Sequence, residues 1–398
     1  MKYLILLLLL NNLLSGQNYL DSIYDINYNR EDKYAFIDSL IKDKKIIALG
    51  EISHGDGTTF IHKTELIKYL HKKHGFNIVL IESPFGQMEL INQYQYEDVY
   101  KKSDSLKEQI FGIWSKANEA QALFEYIENE KLTLTGFDCQ QTNNFNQIQD
   151  SINKRYFGES NIVHEENKFI STLAVLLDNY GTSRKLISKK NRTNFIFTID
   201  TLINHNKLIN NKSDLDLFWD QLLVSIKGYA LLCWEKDEIK SVFIRDEYMA
   251  YNTTWLINKK FKNDKIIIWA ATEHLCRNQY LLNKNDSKYK LMGDFLFKNY
   301  KKDLYVMSFI WFKGITNDFG FNNTEYTSRD TMSLEFKLSK KYNFAFVDLS
   351  KYKSFKVTAI ENFGIIGSKY YPKWDEILDG LYFINEMKPS TRVKLNYK

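Results

Sequence analysis

Short apolar segments rich in β-branched residues recur along the chain, and this pattern is typical of buried strands. Seven segments show it: KIIAL (45–49), NIVLI (77–81), LTLTG (132–136), KIIIWA (265–270), DLYVMSF (303–309), NFAFVDL (343–349) and GLYFI (380–384). Between the first two, Phe60, Leu66 and Leu70 recur at helical spacing, and Gly75 suits a C-terminal cap. A strand, a helix and a strand within about 35 residues make a βαβ unit. The pattern therefore predicts an α/β fold with a central, mostly parallel sheet flanked by helices.

The middle of the chain has a different pattern. From about residue 145 to 261 the apolar positions are mainly helical, as in NKFISTLAVLLDNY and LDLFWDQLLVSIKGYALLCW. The simplest interpretation is a helical insertion within an α/β domain. The chain has 398 residues, 44% of them apolar, and only 3 prolines, so no proline-rich linker divides it. Residues 17–398 are therefore expected to form one domain that carries this insertion.

The first sixteen residues have the layout of a secretory signal peptide. Lys2 precedes a short leucine run, and Ser15 and Gly16 follow it, which predicts cleavage near the Gly16–Gln17 bond. An uncleaved anchor is the alternative, but the apolar stretch is short for a membrane span. We therefore expect a periplasmic or extracellular protein without stable membrane insertion after cleavage.

Charge and cysteine content narrow the function classes further. The net charge of +5 is spread along the chain, and no basic stripe with interleaved aromatic residues indicates nucleic-acid binding. Cys139, Cys233 and Cys276 lack the CxxC spacing of a zinc or redox motif. An exported chain could join two of them, but the sequence does not select the pair. A small-molecule substrate remains as the predicted partner, with the oligomeric state left open.

Ionisable residues follow four of the predicted strands. They are Glu51 and His54, then Glu82, then Asp138, then His274. Ligands of parallel α/β sheets bind beyond the carboxyl ends of the strands, so we expect these side chains to point toward one edge.

Each of these residues also has a structural interpretation. Glu51 could be a capping or surface carboxylate, His54 a hydrogen-bonded structural histidine and Asp138 a helix cap. His274 could lie on a solvated helical face. Burying Glu82 without a partner is expensive, so either a lysine or arginine pairs with it or it tunes a catalytic histidine.

The chemistry open to this set is limited. A histidine can take a proton from water, a carboxylate can orient its ring, and a second histidine or a cation can stabilise an oxyanion. That combination describes a hydrolase without a covalent intermediate, and no G-x-S-x-G elbow suggests a serine nucleophile. Glu51, His54, Glu82 and His274 could instead bind a divalent cation, but no H-E-x-x-H motif supports this. No metal or other cofactor is therefore predicted.

Several motifs, in order, resemble the erythromycin esterase-like family. They are LGEISHG with GFNIVLIESPFG after a helix, FGIWSKANEAQALFEYI, LTGFDCQ, IRDEYMAYNTTWLI, MGDFL and LDGLYFINEMKPST, and together they span about residues 44–392. The resemblance implies a metal-independent hydrolase of lactones or esters.

The motif positions also imply roles for single residues. His54 would be the general base, supported by Glu51 and Glu82. Lys63 would pair with a carboxylate or hold the substrate, and Asp138 and Arg245 are expected to bind the substrate.

One motif departs from the family pattern. Where the family often has W-A-H-N-x-H, this chain reads WAATEH, so Ala271 and Thr272 replace His-Asn and only His274 remains. The first hypothesis is an exported, metal-independent ester or lactone hydrolase with His54 as general base. The alternatives are a catalytically reduced binding protein of the same fold and a metal-dependent hydrolase.

Overall fold

The computed structural model describes residues 22–93, 105–141, 146–158, 164–179, 182–278, 281, 290–318, 322–351, 360–361 and 373–393. The predicted leader, residues 1–16, lies outside the described residues. The chain forms two compact units. The first comprises Met1–Val79, Gly112–Leu132 and Asp264–Lys398, and the second comprises Leu80–Phe111 and Thr133–Asn263.

The first unit is built on a mixed sheet with a parallel centre. Its strands are β1 (Ile23–Asp25), β2 (Ile46–Glu51), β5 (Lys265–Ala271), β6 (Leu304–Asp318), β7 (Asn322–Thr327), β8 (Phe344–Asp348) and β9 (Gly380–Met387). Their order is β1-β8-β9-β6-β2-β5, and β7 pairs with β6. The strands β9, β6, β2 and β5 run parallel, whereas β1, β7 and β8 pair antiparallel with their neighbours. All six residues of β2 are buried, which explains its uninterrupted apolar run.

Helices complete the first unit. They are α1 (Gly57–His74), α3 (Gly112–Ser115), α4 (Asn118–Asn129), α11 (Thr272–Leu275), α12 (Met292–Tyr300) and α13 (Leu334–Ser339). The helix α1 ends where the sequence predicts, because Gly75 adopts a left-handed φ of 71° and its N–H donates to the His71 carbonyl.

The second unit is mainly helical. The strand β3 (Phe76–Pro84) ends in it, and β4 (Thr133–Asp138) lies beside β3. Its helices are α2 (Phe85–Gln93), α5 (Asn146–Tyr156), α6 (His164–Asp178), α7 (Ser183–Leu186), α8 (Lys189–Lys207), α9 (Asp214–Trp234) and α10 (Glu238–Trp255), and residues 105–109 are helical too. After α10 the chain makes a π-helical turn over Leu256–Lys260.

The predicted α/β class with a mostly parallel sheet and a helical segment is confirmed, and all seven predicted strands are present. The sequence did not predict β1 or β7, and β6 extends well beyond residue 309. The extension of β6 follows from its pairing with β7 and β9, which supplies backbone partners beyond the apolar run. The division into one domain with an insertion at about 145–261 stays a prediction.

Candidate active site

The apolar run of β2 ends in a charged residue. Glu51 is the last residue of β2, which extends two residues further than the sequence predicts, and it pairs in register with Ala271 of the parallel strand β5. Both strands thus present their carboxyl ends side by side. The Glu51 side chain is nevertheless completely buried, so its charge requires partners within the protein.

Three donors converge on the Glu51 carboxylate. Lys63 Nζ donates to Oε2, and Trp114 Nε1 donates to Oε1 at 3.1 Å. The Nδ1 atom of His54 lies 3.3 Å from the same Oε1. The carboxylate is therefore compensated by a cation on one oxygen and shared by two ring nitrogens on the other.

His54 combines a fixed ring with access to solvent. Its side chain is 26% exposed, whereas Glu51 is fully buried, and its ring stands edge-on to Trp114 at a centroid distance of 5.1 Å. A carboxylate accepts hydrogen bonds only, so Nδ1 carries the proton when it bonds to Glu51. In that tautomer Nε2 carries no proton and is the nitrogen that can accept one.

Lys63, the cation that pairs with Glu51, is fully buried. It lies on α1, twelve residues after Glu51, and its ammonium also donates to the Ala270 carbonyl at 3.3 Å. The same nitrogen sits 4.5 Å from the centre of the Trp269 ring, within the range of a cation–π contact. Of its two predicted roles, the structure shows the pairing with a carboxylate, and contact with substrate stays a prediction.

The loop that carries His54, residues 52–56, is held by a second buried carboxylate. Asp56 accepts hydrogen bonds from the Ser53 backbone N–H at 3.1 Å, Trp311 Nε1 at 3.2 Å and Thr316 Oγ1 at 2.7 Å. The residue after His54 must lack a side chain, since a Cβ at Gly55 would lie 2.0 Å from the Asn317 carbonyl oxygen. The loop is therefore held by its own residue Asp56 and by the residues of β6 that contact it.

Because Asp56 is buried, we expect the free energy of unfolding to depend on pH. Burial raises its pKa to about 6, although hydrogen bonds from Thr316, Ser53 and Trp311 act in the opposite direction. The folded state thus holds the proton more tightly than the unfolded chain, whose aspartates titrate near pH ~3.9. This contribution to stability is complete below that pH and is lost as the pH rises through about 6.

We expect the difference in unfolding free energy between wild type and Asp56→Asn to change with pH. From about pH 4 to pH 7 the stability of the wild type relative to Asp56→Asn should fall by roughly 2 kcal/mol. Urea unfolding of both proteins at several pH values measures this difference. A difference that stays constant with pH contradicts the raised pKa.

The edge formed by β5 also contributes to this region. Ala271 is the register partner of Glu51, and α11 begins at the next residue. Thr272 and Ser308 share a hydrogen bond of 2.8 Å between their buried hydroxyls. His274 is on α11 and is 6% exposed, so the solvated helical face that was its alternative is wrong.

In the second unit, Arg245 joins two predicted site residues. Its Nη2 donates to Glu82 Oε1 at 2.7 Å and to Asp138 Oδ2 at 2.6 Å, and its Nε lies 3.1 Å from Asp138 Oδ2. Both carboxylates are buried. Burial disfavours the charged guanidinium, but Asp138 and Glu82 outweigh it and raise the pKa of Arg245 above its usual range. Glu82 therefore has the cationic partner that its burial required.

The substrate-binding roles of Asp138 and Arg245 and the role of Glu82 as a support of His54 stay predictions. Asp138 also accepts a hydrogen bond from the Gln140 backbone N–H at 2.9 Å, in the manner of a turn residue. The guanidinium of Arg245 thus donates to two carboxylates of the protein itself in this structure.

Replacing Arg245 with lysine tests how much the guanidinium bonds to Asp138 and Glu82 stabilise the fold. A lysine keeps the charge, but its single nitrogen cannot reproduce the separate bonds that Nε and Nη2 make, so we expect a loss of about 1–2 kcal/mol in unfolding free energy. The matched control is Arg155→Lys, since Arg155 pairs with Asp216 on the surface, where ion pairs contribute little. Urea unfolding measures both variants, and equal losses contradict the prediction.

Within the described residues, no group of three or more histidine, cysteine, aspartate or glutamate side chains is arranged to hold a metal ion. The three cysteines are free thiols, with Cys139 and Cys276 buried and Cys233 partly exposed. None of the described helices has the length and apolarity to cross a membrane.

Comparison with known proteins identifies the family. The family model for erythromycin esterase matches residues 71–355. The chain belongs to the erythromycin esterase family. The matched range includes Glu82, Asp138, Arg245 and His274 and begins after His54.

Individual relatives agree with this family and with the fold. The chain is 26% identical over 314 residues to "Putative hydrolase YbfO" of Bacillus subtilis (strain 168), covering 73% of this chain and 70% of that protein. A protein from Bacillus cereus has a similar crystal structure, with a TM-score of 0.75 and 17% identity over 96% of this chain and 99% of its own. A mutant of the erythromycin esterase EreC in its open conformation gives a TM-score of 0.68 at 15% identity, over 92% and 96% of the two chains.

Sequence reasoning missed two residues of this site. Trp114 lies in a motif that was recognised, but nothing local indicates that its indole reaches Glu51, 63 positions earlier. Asp56 follows Gly55 directly, and an acid beside the proposed histidine loop was the available signal.

Proposed function

We propose that this erythromycin esterase family member is an exported, metal-independent hydrolase of an ester or lactone bond, with His54 as general base. The observation that carries the proposal is the contact of His54 Nδ1 with the buried carboxylate of Glu51, in a ring that is 26% exposed. The protein thereby holds Nδ1 of this ring, and Nε2 is the nitrogen that acts as the base.

In the proposed reaction, His54 Nε2 accepts a proton from water while the water oxygen bonds to the carbonyl carbon. The imidazolium is stabilised by Glu51, and the carbonyl π electrons move to the oxygen as an oxyanion. When the oxyanion collapses, the bond between the carbonyl carbon and the ester oxygen breaks. The leaving oxygen takes the proton back from Nε2, so water and ester become acid and alcohol.

The oxyanion requires a donor, and we assign this role to His274. It follows Ala271, the register partner of Glu51, by three residues, so it belongs to the same edge of the sheet. The family's first histidine is absent at Ala271, which leaves His274 as the remaining histidine of that motif.

Names of relatives support the reaction class. The family is called erythromycin esterase, and the Bacillus subtilis relative is called a hydrolase. An ester or lactone substrate is the coarsest class that includes these descriptions, and the geometry of Glu51 and His54 suits attack by water on either bond.

Hydrolysis of p-nitrophenyl esters tests the proposal. We expect turnover by the wild type and, in intact-mass spectra taken during turnover, a protein mass without an acyl adduct. A mass increase equal to the acyl group would replace water activation with a covalent mechanism. No turnover, together with ligand binding that His54→Gln leaves undiminished, would favour the catalytically reduced binding protein.

Chelation distinguishes the metal-dependent alternative. Glu51 already receives Lys63, Trp114 and His54, so its oxygens are occupied by donors rather than arranged for a cation. We therefore expect dialysis against EDTA to change kcat by less than about twofold, since general-base catalysis needs no metal. Loss of activity that Zn²⁺ or Mn²⁺ restores would establish the alternative.

Export is the remaining part of the proposal. It is supported by the lysine, leucine run and small residues within residues 1–16. N-terminal sequencing of the protein recovered outside the cytoplasm should begin near Gln17. A chain that retains Met1 after fractionation contradicts cleavage.

A further inference from the structure

Residues 388–393, here called the closing segment, contact two separate parts of the first unit. At one end, the Ser390 N–H donates to the Gly55 carbonyl at 2.8 Å, and the Thr58 N–H donates to the Lys388 carbonyl at 3.2 Å. Pro389 forms an isolated β-bridge with Asp56. This end of the closing segment therefore borders the loop that carries His54.

The other end of the closing segment holds the region of Trp114. Arg392 Nη1 donates to the Gly112 carbonyl at the start of α3, and the Val393 N–H donates to the Lys116 carbonyl at 2.9 Å. An isolated bridge also joins Ala117 to Arg392. The backbone on both sides of Trp114 is thus hydrogen-bonded to the closing segment, which is also hydrogen-bonded to the loop that carries His54.

Side chains of α4 fix the position of the closing segment. The Glu119 carboxylate accepts from the Thr391 N–H at 2.9 Å and from Thr391 Oγ1 at 2.7 Å. Asn118 Nδ2 donates to Thr391 Oγ1 at 2.8 Å and to the Arg392 carbonyl at 3.0 Å. Three of these four bonds hold Thr391 and the fourth holds Arg392, all from two adjacent side chains.

The geometry points to a remote positioning function: Glu119 and Asn118 hold the closing segment, which sets His54 and Trp114 at the distances that let both reach Glu51 Oε1. His54 and Trp114 approach this oxygen from different parts of the chain, at 3.3 and 3.1 Å, and their rings touch edge to face. A segment anchored to both therefore controls their mutual placement. Displacements of about 1 Å in such a site can cost up to about 10²-fold in rate.

Only the activity part of this inference rests on the proposed function. The first measurement is kcat and KM for a p-nitrophenyl ester with the double variant Asn118→Ala/Glu119→Ala. We expect kcat to fall about tenfold with KM within about threefold, because placement of the base changes while the substrate contacts do not. Thr391→Val should lose less, and Thr391→Ser, which keeps the hydroxyl, should be close to wild type.

The control is Glu125→Ala, which removes the same charge from an exposed position of the same helix. Urea unfolding confirms that each variant is folded under the assay conditions. A kcat loss no larger than that of Glu125→Ala overturns the inference.

The second measurement reads His54 directly. Long-range ¹H–¹⁵N spectra of histidine-labelled protein report the tautomer of each of the 7 histidines, and His54→Gln assigns the signal of interest. We expect the Nδ1-protonated tautomer in the wild type and a mixture with the Nε2-protonated tautomer in Asn118→Ala/Glu119→Ala. An unchanged His54 signal overturns the inference even if activity falls.

The two measurements separate failure of the inference from failure of the proposed function. If the wild type hydrolyses no ester, the proposed function is wrong, and the ring spectrum still decides the positioning function. If the wild type is active and both readouts are unchanged in the double variant, the positioning function is wrong and the proposed function stands.

Discussion

Replacement of His54 by glutamine is expected to lower kcat for ester hydrolysis by about 10³-fold. General acid–base catalysis by a positioned side chain contributes about 10²–10⁴-fold, which corresponds to roughly 3–5 kcal/mol of transition-state stabilisation. Glutamine can accept a hydrogen bond from water, but its amide does not take the proton. Because the amide retains much of the polarity of the ring, KM should change little.

The control for this prediction is His205→Gln, which makes the same chemical change at an exposed position on α8. Steady-state kinetics and circular dichroism of both variants separate a catalytic loss from unfolding. His54 is partly exposed, so its replacement should leave the unfolding free energy within about 1 kcal/mol. If His54→Gln retains more than a tenth of wild-type kcat, His54 is not the general base.

Replacement of Lys63 by methionine is expected to produce the largest loss of stability. Methionine fills similar space but leaves the Glu51 carboxylate buried without its counter-charge. Removing one partner of a buried ion pair costs about 3–5 kcal/mol, because the remaining charge stays desolvated. The midpoint of urea unfolding, followed by circular dichroism, measures the loss. Lys72→Met, at an exposed position of the same helix, is the control.

A second substitution identifies the cause. If the loss arises from the uncompensated charge, Glu51→Gln in the Lys63→Met background should recover most of it, since a neutral amide costs far less to bury. A double variant no more stable than Lys63→Met alone would instead assign the loss to packing against Trp269. A single variant no less stable than Lys72→Met contradicts the prediction outright.

The strands could be predicted from the sequence because their signal is local. A strand such as β2, buried along its whole length, must be apolar at consecutive positions, and that pattern is visible without knowledge of its neighbours. β7 has no such signal, because its residues NNTEYT are mostly exposed and its strand conformation comes from backbone pairing with β6. β1 has only three residues, too few for a period to appear.

The candidate site could be predicted in part, for the same reason. Glu51 ends β2 and His54 follows it by three residues on a short loop, so their contact is built into the local chain. The requirement that a buried Glu82 have a cationic partner could also be stated, but Arg245 lies 163 positions later. Arg245 was expected to bind substrate, and the structure pairs it with carboxylates. For Lys63, the pairing with Glu51 was one of its two predicted roles.

The sequence by itself determined the strand and helix periods, the charged residue at the end of β2 and the glycine that lets the next loop approach β6 closely. Only the tertiary structure decided which groups meet at Glu51, which cation compensates Glu82, and that the closing segment borders the His54 loop. The reason is physical: periodicity follows from the geometry of neighbouring residues. The partners of a buried charge are chosen by which distant segments the packed core brings together, since an unpaired charge there would be too costly.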